Sequence, residues 1–189
     1  MAVSITPLSE NIGAEVTGVD FSQPLPAADL ADIEQALLDH LVVVVRDQSL
    51  DPKQLLAATR LFGETMEQHL TDTLMDGHPE IAVLDSSKMP PDKQGRVIPF
   101  GARTWHTDHT NHEHPPKYTA LYAINLPASG GDTSFANMNF GYTALPREEQ
   151  ASLLDLQTVN KIEDFGYIGE EARVKFGTLP VHPLIRTHP

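Results

Sequence analysis

Apolar residues recur at helical spacing between Ala27 and His40, where Leu30, Ile33, Leu37, Leu38 and Leu41 alternate with Asp29, Asp32, Glu34 and Asp39 on the other faces. Such a stripe predicts an amphipathic helix lying on a larger body. The pattern then changes abruptly. Leu41-Val42-Val43-Val44-Val45 is an unbroken β-branched run, which predicts a strand buried on both faces in the middle of a sheet. Ahead of these elements, Ile5, Ile12, Ala14, Val16 and Val19 alternate partially among Pro7, Gly13 and Gly18, as short strands joined by turns do.

A second helix is announced by its own start signal. Asp51 can cap, Pro52 suits the first helical position, Gln54 can reach back, and Gly63 is placed to end the helix after Leu55, Leu56, Leu61 and Phe62. Ile81–Leu84 predicts a further strand. Residues 86–104, with three prolines, two glycines and several charges, predict a long exposed loop, either a cover for a site or a plain connector. Tyr118–Asn125 and Thr133–Ala136 predict strands joined by a turn at Pro127–Asp132, and Pro146-Arg147-Glu148-Glu149 opens a helix. Many short strands with a few outer helices in 189 residues predict a single domain, mainly β, with a barrel or sandwich at its centre.

Composition narrows the function classes. The formal net charge is −13, from 26 acidic against 13 basic side chains, which disfavours a phosphate backbone or an anionic membrane as partner. No cysteine is present, so disulfides, iron–sulfur ligation and thiol nucleophiles are excluded and any metal must be held by His and carboxylate. The first residues lack a basic segment followed by an apolar core, and a cytoplasmic location is the expectation.

The chemistry concentrates in Trp105-His106-Thr107-Asp108-His109-Thr110-Asn111-His112. In an extended segment His106 and Asp108 face the same side. One imidazole and one carboxylate at one point are two of the three donors of a facial triad for non-haem Fe(II); the same tripeptide also occurs as an ordinary hydrogen-bonded pair. His109, His112 and His114 are expected at the surface or behind the ligands, since His109 and His112 would form a metal pair only on a helix and Pro115-Pro116 opposes one. Trp105 is expected in the core. Gly130-Gly131-Asp132-Thr133 is a hairpin turn whose threonine could bind a carboxylate.

Taken together, these pieces resemble the TauD/TfdA family of Fe(II)- and 2-oxoglutarate-dependent dioxygenases. The resemblance runs through Ile5–Leu8, Ile12–Asp20, Val43–Gln48, Leu61–Glu64, Trp105–Asp108, Leu126–Thr133 and His182–Pro189, in that order. It implies a double-stranded β-helix, or jelly roll, flanked by helices, with His106 and Asp108 as iron ligands and Thr133 helping to hold 2-oxoglutarate. It implies Fe(2+), 2-oxoglutarate and O2 as the working set, and hydroxylation of a small anionic molecule with release of succinate and CO2. His69 lies near where a sulfonate-binding histidine would be sought, and Arg103 could face an anion.

In this family the third ligand and the arginine that pairs with 2-oxoglutarate follow the His-Pro-x-x-Arg-Thr-His-Pro segment. His182, His188 and Arg186 match that segment itself and take no such role. The resemblance thus implies residues 1–189 as the N-terminal and central part of the domain, with the jelly roll incomplete at its C-terminus. A non-catalytic remnant and a non-redox metal-binding jelly roll, such as a zinc hydrolase, are the alternatives. A homo-oligomer is compatible with all three readings.

Overall fold

The structure, a computed structural model, describes residues 3–69, 73–88, 104–161 and 174–189. The chain divides into two compact units, one formed by Met1–Thr65 with Asp132–Ala151 and the other by Met66–Gly131 with Ser152–Pro189. Helices and strands are mixed in it, and the strands are short. Most of the 86–104 loop, including Arg103, lies outside the described residues.

In the first unit, strands β1 (Ser4–Pro7) and β2 (Ala14–Thr17) pair antiparallel, with Ile5 opposite Val16. Helix α1 (Ala27–His40) then crosses over to β3 (Val43–Val45), which pairs parallel to β2. Alternation along β2 places Ala14 and Val16 inward, at 0% and 1% exposure, where α1 contributes Ile33 and Ala36. Helix α1 packs on all three strands of this sheet. Its observed span equals the predicted one, although Leu38 is exposed and the buried stripe runs through Ile33 and Ala36.

Two expectations for the valine run are corrected. The strand starts only at Val43, because Leu41 turns left-handed (φ 65°) and caps α1 by donating its N–H to the Leu37 carbonyl. The strand also lies at one end of the order β1-β2-β3, half-buried rather than central. Apolar β-branched sequence specifies extended backbone and burial, but not which neighbours a strand receives.

Helix α2 (Pro52–Arg60) begins as predicted. The Asp51 carboxylate accepts from the Gln54 N–H at 2.8 Å, and the Gln54 side chain accepts from the Asp51 N–H at 2.9 Å. Leu56 and Ala58 are its buried residues. Helix α3 (Met138–Thr143), which no pattern in the sequence announced, is capped by Asn137, whose side chain also donates to the Asn11 carbonyl. Helix α4 spans Arg147–Leu153.

In the second unit β4 (Leu74–Met75) and β5 (His78–Ala82) form a hairpin around Asp76-Gly77, with Gly77 at φ 74°. Strand β5 therefore begins earlier than the predicted Ile81–Leu84. Strands β6 (Gln157–Val159) and β7 (Val181–Pro183) pair antiparallel, with Thr158 opposite His182. The Gly130-Gly131 turn is present, both residues having φ near +75°. Tyr118–Asn125 and Thr133–Ala136, however, are not paired as strands. Leu121, Ile124 and Phe135 are 66%, 73% and 52% exposed. Strand character depends on a partner ladder and a covered face, and neither is provided there among the described residues.

Candidate metal centre

The segment from Thr104 to Asp108 is irregular rather than a strand. The two predicted ligands nevertheless meet: His106 Nε2 lies 3.1 Å from Asp108 Oδ1, with their side chains 51% and 43% exposed. The other ring nitrogen, Nδ1, lies 3.0 Å from the Thr104 carbonyl oxygen. Both nitrogens thus face acceptors, and a neutral imidazole can donate to only one of them. As the pair stands, the proton on Nε2 can be given to the Asp108 carboxylate; with an ion between them, the ring would instead give an Nδ1 proton to Thr104 and turn Nε2 to the ion. This is the arrangement in which metal-bound histidines are commonly held, one nitrogen on the ion and the other donating to a carbonyl.

The donor set, one imidazole and one carboxylate, therefore fits two positions of an Fe(II) facial triad. Among the described residues no third ligand joins them. Thr133 is exposed, belongs to the first unit, and lies in an unpaired stretch. Trp105 is 73% exposed, not in the core as expected. Among the described residues it flanks an irregular segment and no apolar layer receives it.

Directly after Asp108 the chain makes a tight turn. His109 takes a left-handed conformation (φ 53°) and its carbonyl accepts from the His112 N–H at 3.0 Å. The turn is fastened from residues far along the chain. His182, 8% exposed on β7, places Nε2 3.0 Å from the carbonyl oxygens of both Thr110 and His112. Asn111, 5% exposed, donates to the Phe176 carbonyl, and Thr178 donates its hydroxyl proton to the Asn111 carbonyl at 2.7 Å. A cavity of about 470 Å³ opens beside this lock, bordered by His112, Lys175, Phe176 and His182. Lys175 is paired there with Glu67 at 2.7 Å.

The same turn brings His109 and His112 together with His69. The Nδ1 atoms of His69 and His109 are 3.2 Å apart, the two rings meet edge-to-face, and one ring nitrogen of each of the three histidines lies within 4.8 Å of the others. Among the described residues this is the one group of three with metal-ligating atoms so close. Burial, helped by the neighbouring rings, pushes the pKa of His109 down to about 4, and burial lowers those of His69 and His112. All three shifts favour the neutral ring.

The expectation that His109 and His112 stay apart without a helix is thereby corrected. A left-handed residue closes a turn that brings their rings to a 5.4 Å centroid separation, so no helix is required. His114 is exposed, as anticipated. His182 and His188 are engaged with backbone carbonyls, the latter with Lys117 at 2.8 Å. The fastening roles of His182, Asn111 and Thr178 had no signal in the sequence, since each depends on a contact across more than 60 residues.

The family model described as "Taurine catabolism dioxygenase TauD, TfdA family" matches residues 4–189. The alpha-ketoglutarate-dependent sulfate ester dioxygenase of Pseudomonas putida is 33% identical over all of this chain, which covers 64% of that protein. The alpha-ketoglutarate-dependent 2,4-dichlorophenoxyacetate dioxygenase of Cupriavidus pinatubonensis is 29% identical, again over the whole chain and 70% of the relative. Among solved structures, a taurine dioxygenase from Burkholderia xenovorans superposes with a TM-score of 0.75 at 30% identity, over 100% of this chain and 60% of that one. The chain therefore spans only 60–70% of the length of these three relatives. With the family model covering nearly every residue, the chain belongs to the TauD/TfdA family of 2-oxoglutarate-dependent dioxygenases.

Proposed function

We propose that this polypeptide forms the N-terminal and central part of an Fe(II)- and 2-oxoglutarate-dependent dioxygenase that hydroxylates a small anionic organic molecule in the cytoplasm. In this reading the jelly roll is completed by further chain that covers side chains such as Leu121, Ile124 and Leu126, each more than 60% exposed here. The names of the relatives, which act on a sulfate ester and on an aryloxyacetate, support a small oxyanionic substrate class.

The observation that carries the reading is the His106–Asp108 convergence with the Thr104 carbonyl behind it. When bound, iron with 2-oxoglutarate and O2 supplies the oxidising power for hydroxylation, with succinate and CO2 as the other products. The chain's own residues orient and accommodate. With an ion between His106 and Asp108, the Thr104 carbonyl would accept the Nδ1 proton and leave Nε2 to ligate, Asp108 would supply compensating negative charge, and the half-exposed pair is reachable by small molecules. Thr133 contributes a hydroxyl for a 2-oxoglutarate carboxylate.

Anaerobic titration of the chain with Fe(II) and 2-oxoglutarate tests this, with bound iron measured after gel filtration and the visible absorption of a keto-acid chelate as second readout. His106→Ala and Asp108→Ala should each lose iron while far-UV circular dichroism stays unchanged. Equal iron retention by the parent chain and both variants would overturn the ligand assignment. Thr133→Ala should raise the 2-oxoglutarate concentration needed for the visible band and leave iron binding alone.

A further inference from the structure

We infer that His69, His109 and His112 form a second metal site, built from imidazole alone, for a divalent transition ion of the zinc type, with ligands distinct from the His106–Asp108 pair. The spacing is the first argument. Two nitrogens bound tetrahedrally at roughly 2.0–2.1 Å from one ion stand about 3.3 Å apart, and His69 Nδ1 and His109 Nδ1 are already 3.2 Å apart. The third nitrogen is within 4.8 Å, so a modest ring rotation closes the set.

Hydrogen bonding between His69 and His109 accounts for that pair but not for the third ring. His112 Nε2 is buried and has no hydrogen-bond partner among the described residues. Buried polar atoms left in this way are uncommon and ask for a missing partner. Zn(II), Co(II), Cu(II) and Ni(II) accept neutral imidazole, whereas Mg(II) and Ca(II) require oxygen.

The scaffold is built to hold this geometry. His109 and His112 sit on one turn whose backbone is fastened by His182 and Asn111, and Phe176 lies against the rings of both His69 and His112. Three protein ligands leave a fourth position for water or another small donor. Because His109 follows Asp108 directly, an ion there would also stiffen the backbone that presents the His106–Asp108 pair.

The test uses the whole metal-free chain and Co(II), whose four-coordinate complexes absorb strongly in the visible. One equivalent should produce those bands in the parent chain and in the His106→Ala/Asp108→Ala double variant alike, which separates this site from the iron reading. His69→Ala and His112→Ala should each weaken Co(II) binding by at least the roughly 10–100-fold that loss of even an outer partner costs a metal site. His114→Ala, an exposed neighbour, should not. A readout without any substitution comes from diethyl pyrocarbonate labelling of the parent chain. Zn(II) should protect His69 and His112 but leave His114 reactive. Co(II) bands that survive both His69→Ala and His112→Ala, bands lost in the double variant, or absence of Zn(II) protection at His69 and His112 would each overturn the proposal.

Discussion

His182 Nε2 stands 3.0 Å from the carbonyl oxygen of His112 and the same distance from that of Thr110, so a single N–H fastens both ends of the turn that follows Asp108. Carbonyls only accept, which fixes the proton on Nε2. His182→Ala leaves two part-buried carbonyls without this donor and should cost about 1 kcal/mol, read as a lowered urea midpoint with unchanged m-value. His182→Gln, which can donate an N–H, should recover part of the loss. A midpoint equal to that of the parent would show that the turn holds itself.

The reciprocal bonds between Asp51 and Gln54 satisfy backbone donors at the start of α2. Asp51→Ala removes the acceptor for the Gln54 N–H and should destabilise the chain by about 1 kcal/mol. Gln54→Ala should cost less, because the exposed Asp51 N–H that it leaves can be hydrated. Thermal unfolding of the two variants side by side checks the ranking.

The histidine group makes stability depend on acidity with a definite sign. Burial, then the charges that His69 and His112 would carry, hold His109 near pKa 4, against 6.5 when unfolded; Asp108 opposes this weakly. Between these values the unfolded chain binds the extra proton, so the stabilising contribution is fully present above pH 6.5 and is lost as the pH falls toward 4. His69 and His112, also lowered, act in the same direction. Urea midpoints of the metal-free chain should therefore fall between pH 7 and pH 5. His109→Asn, which tolerates the left-handed backbone, should flatten that slope. An equal slope in parent and variant would contradict the buried neutral state of His109.

If the His69–His109–His112 set takes a metal, the thermal midpoint at pH 7.5 should be higher with one saturating equivalent of Zn(II) than without it. His106→Ala should leave this difference intact. Removal of the ion with EDTA should restore the lower midpoint.

What the sequence determined by itself is what a few neighbouring residues decide among themselves. The stripe around Ile33 specified α1 to its ends, Asp51 with Gln54 specified the start of α2, and Gly130-Gly131 specified a turn that needs positive φ twice. The His106–Asp108 meeting was legible for the same reason: two residues apart, their side chains reach each other even though the segment is not a strand.

Tertiary structure decided the rest. Val43–Val45 became an end strand because only β2 pairs with it among the described residues, and Tyr118–Asn125 is not a strand although its residue types favour one. His69 joined His109 across 40 residues, and His182 reached Thr110 across 72. Periodicity and capping act within one or two turns of chain, whereas a ladder partner, a buried imidazole contact or a carbonyl clamp exists only once distant segments are packed together.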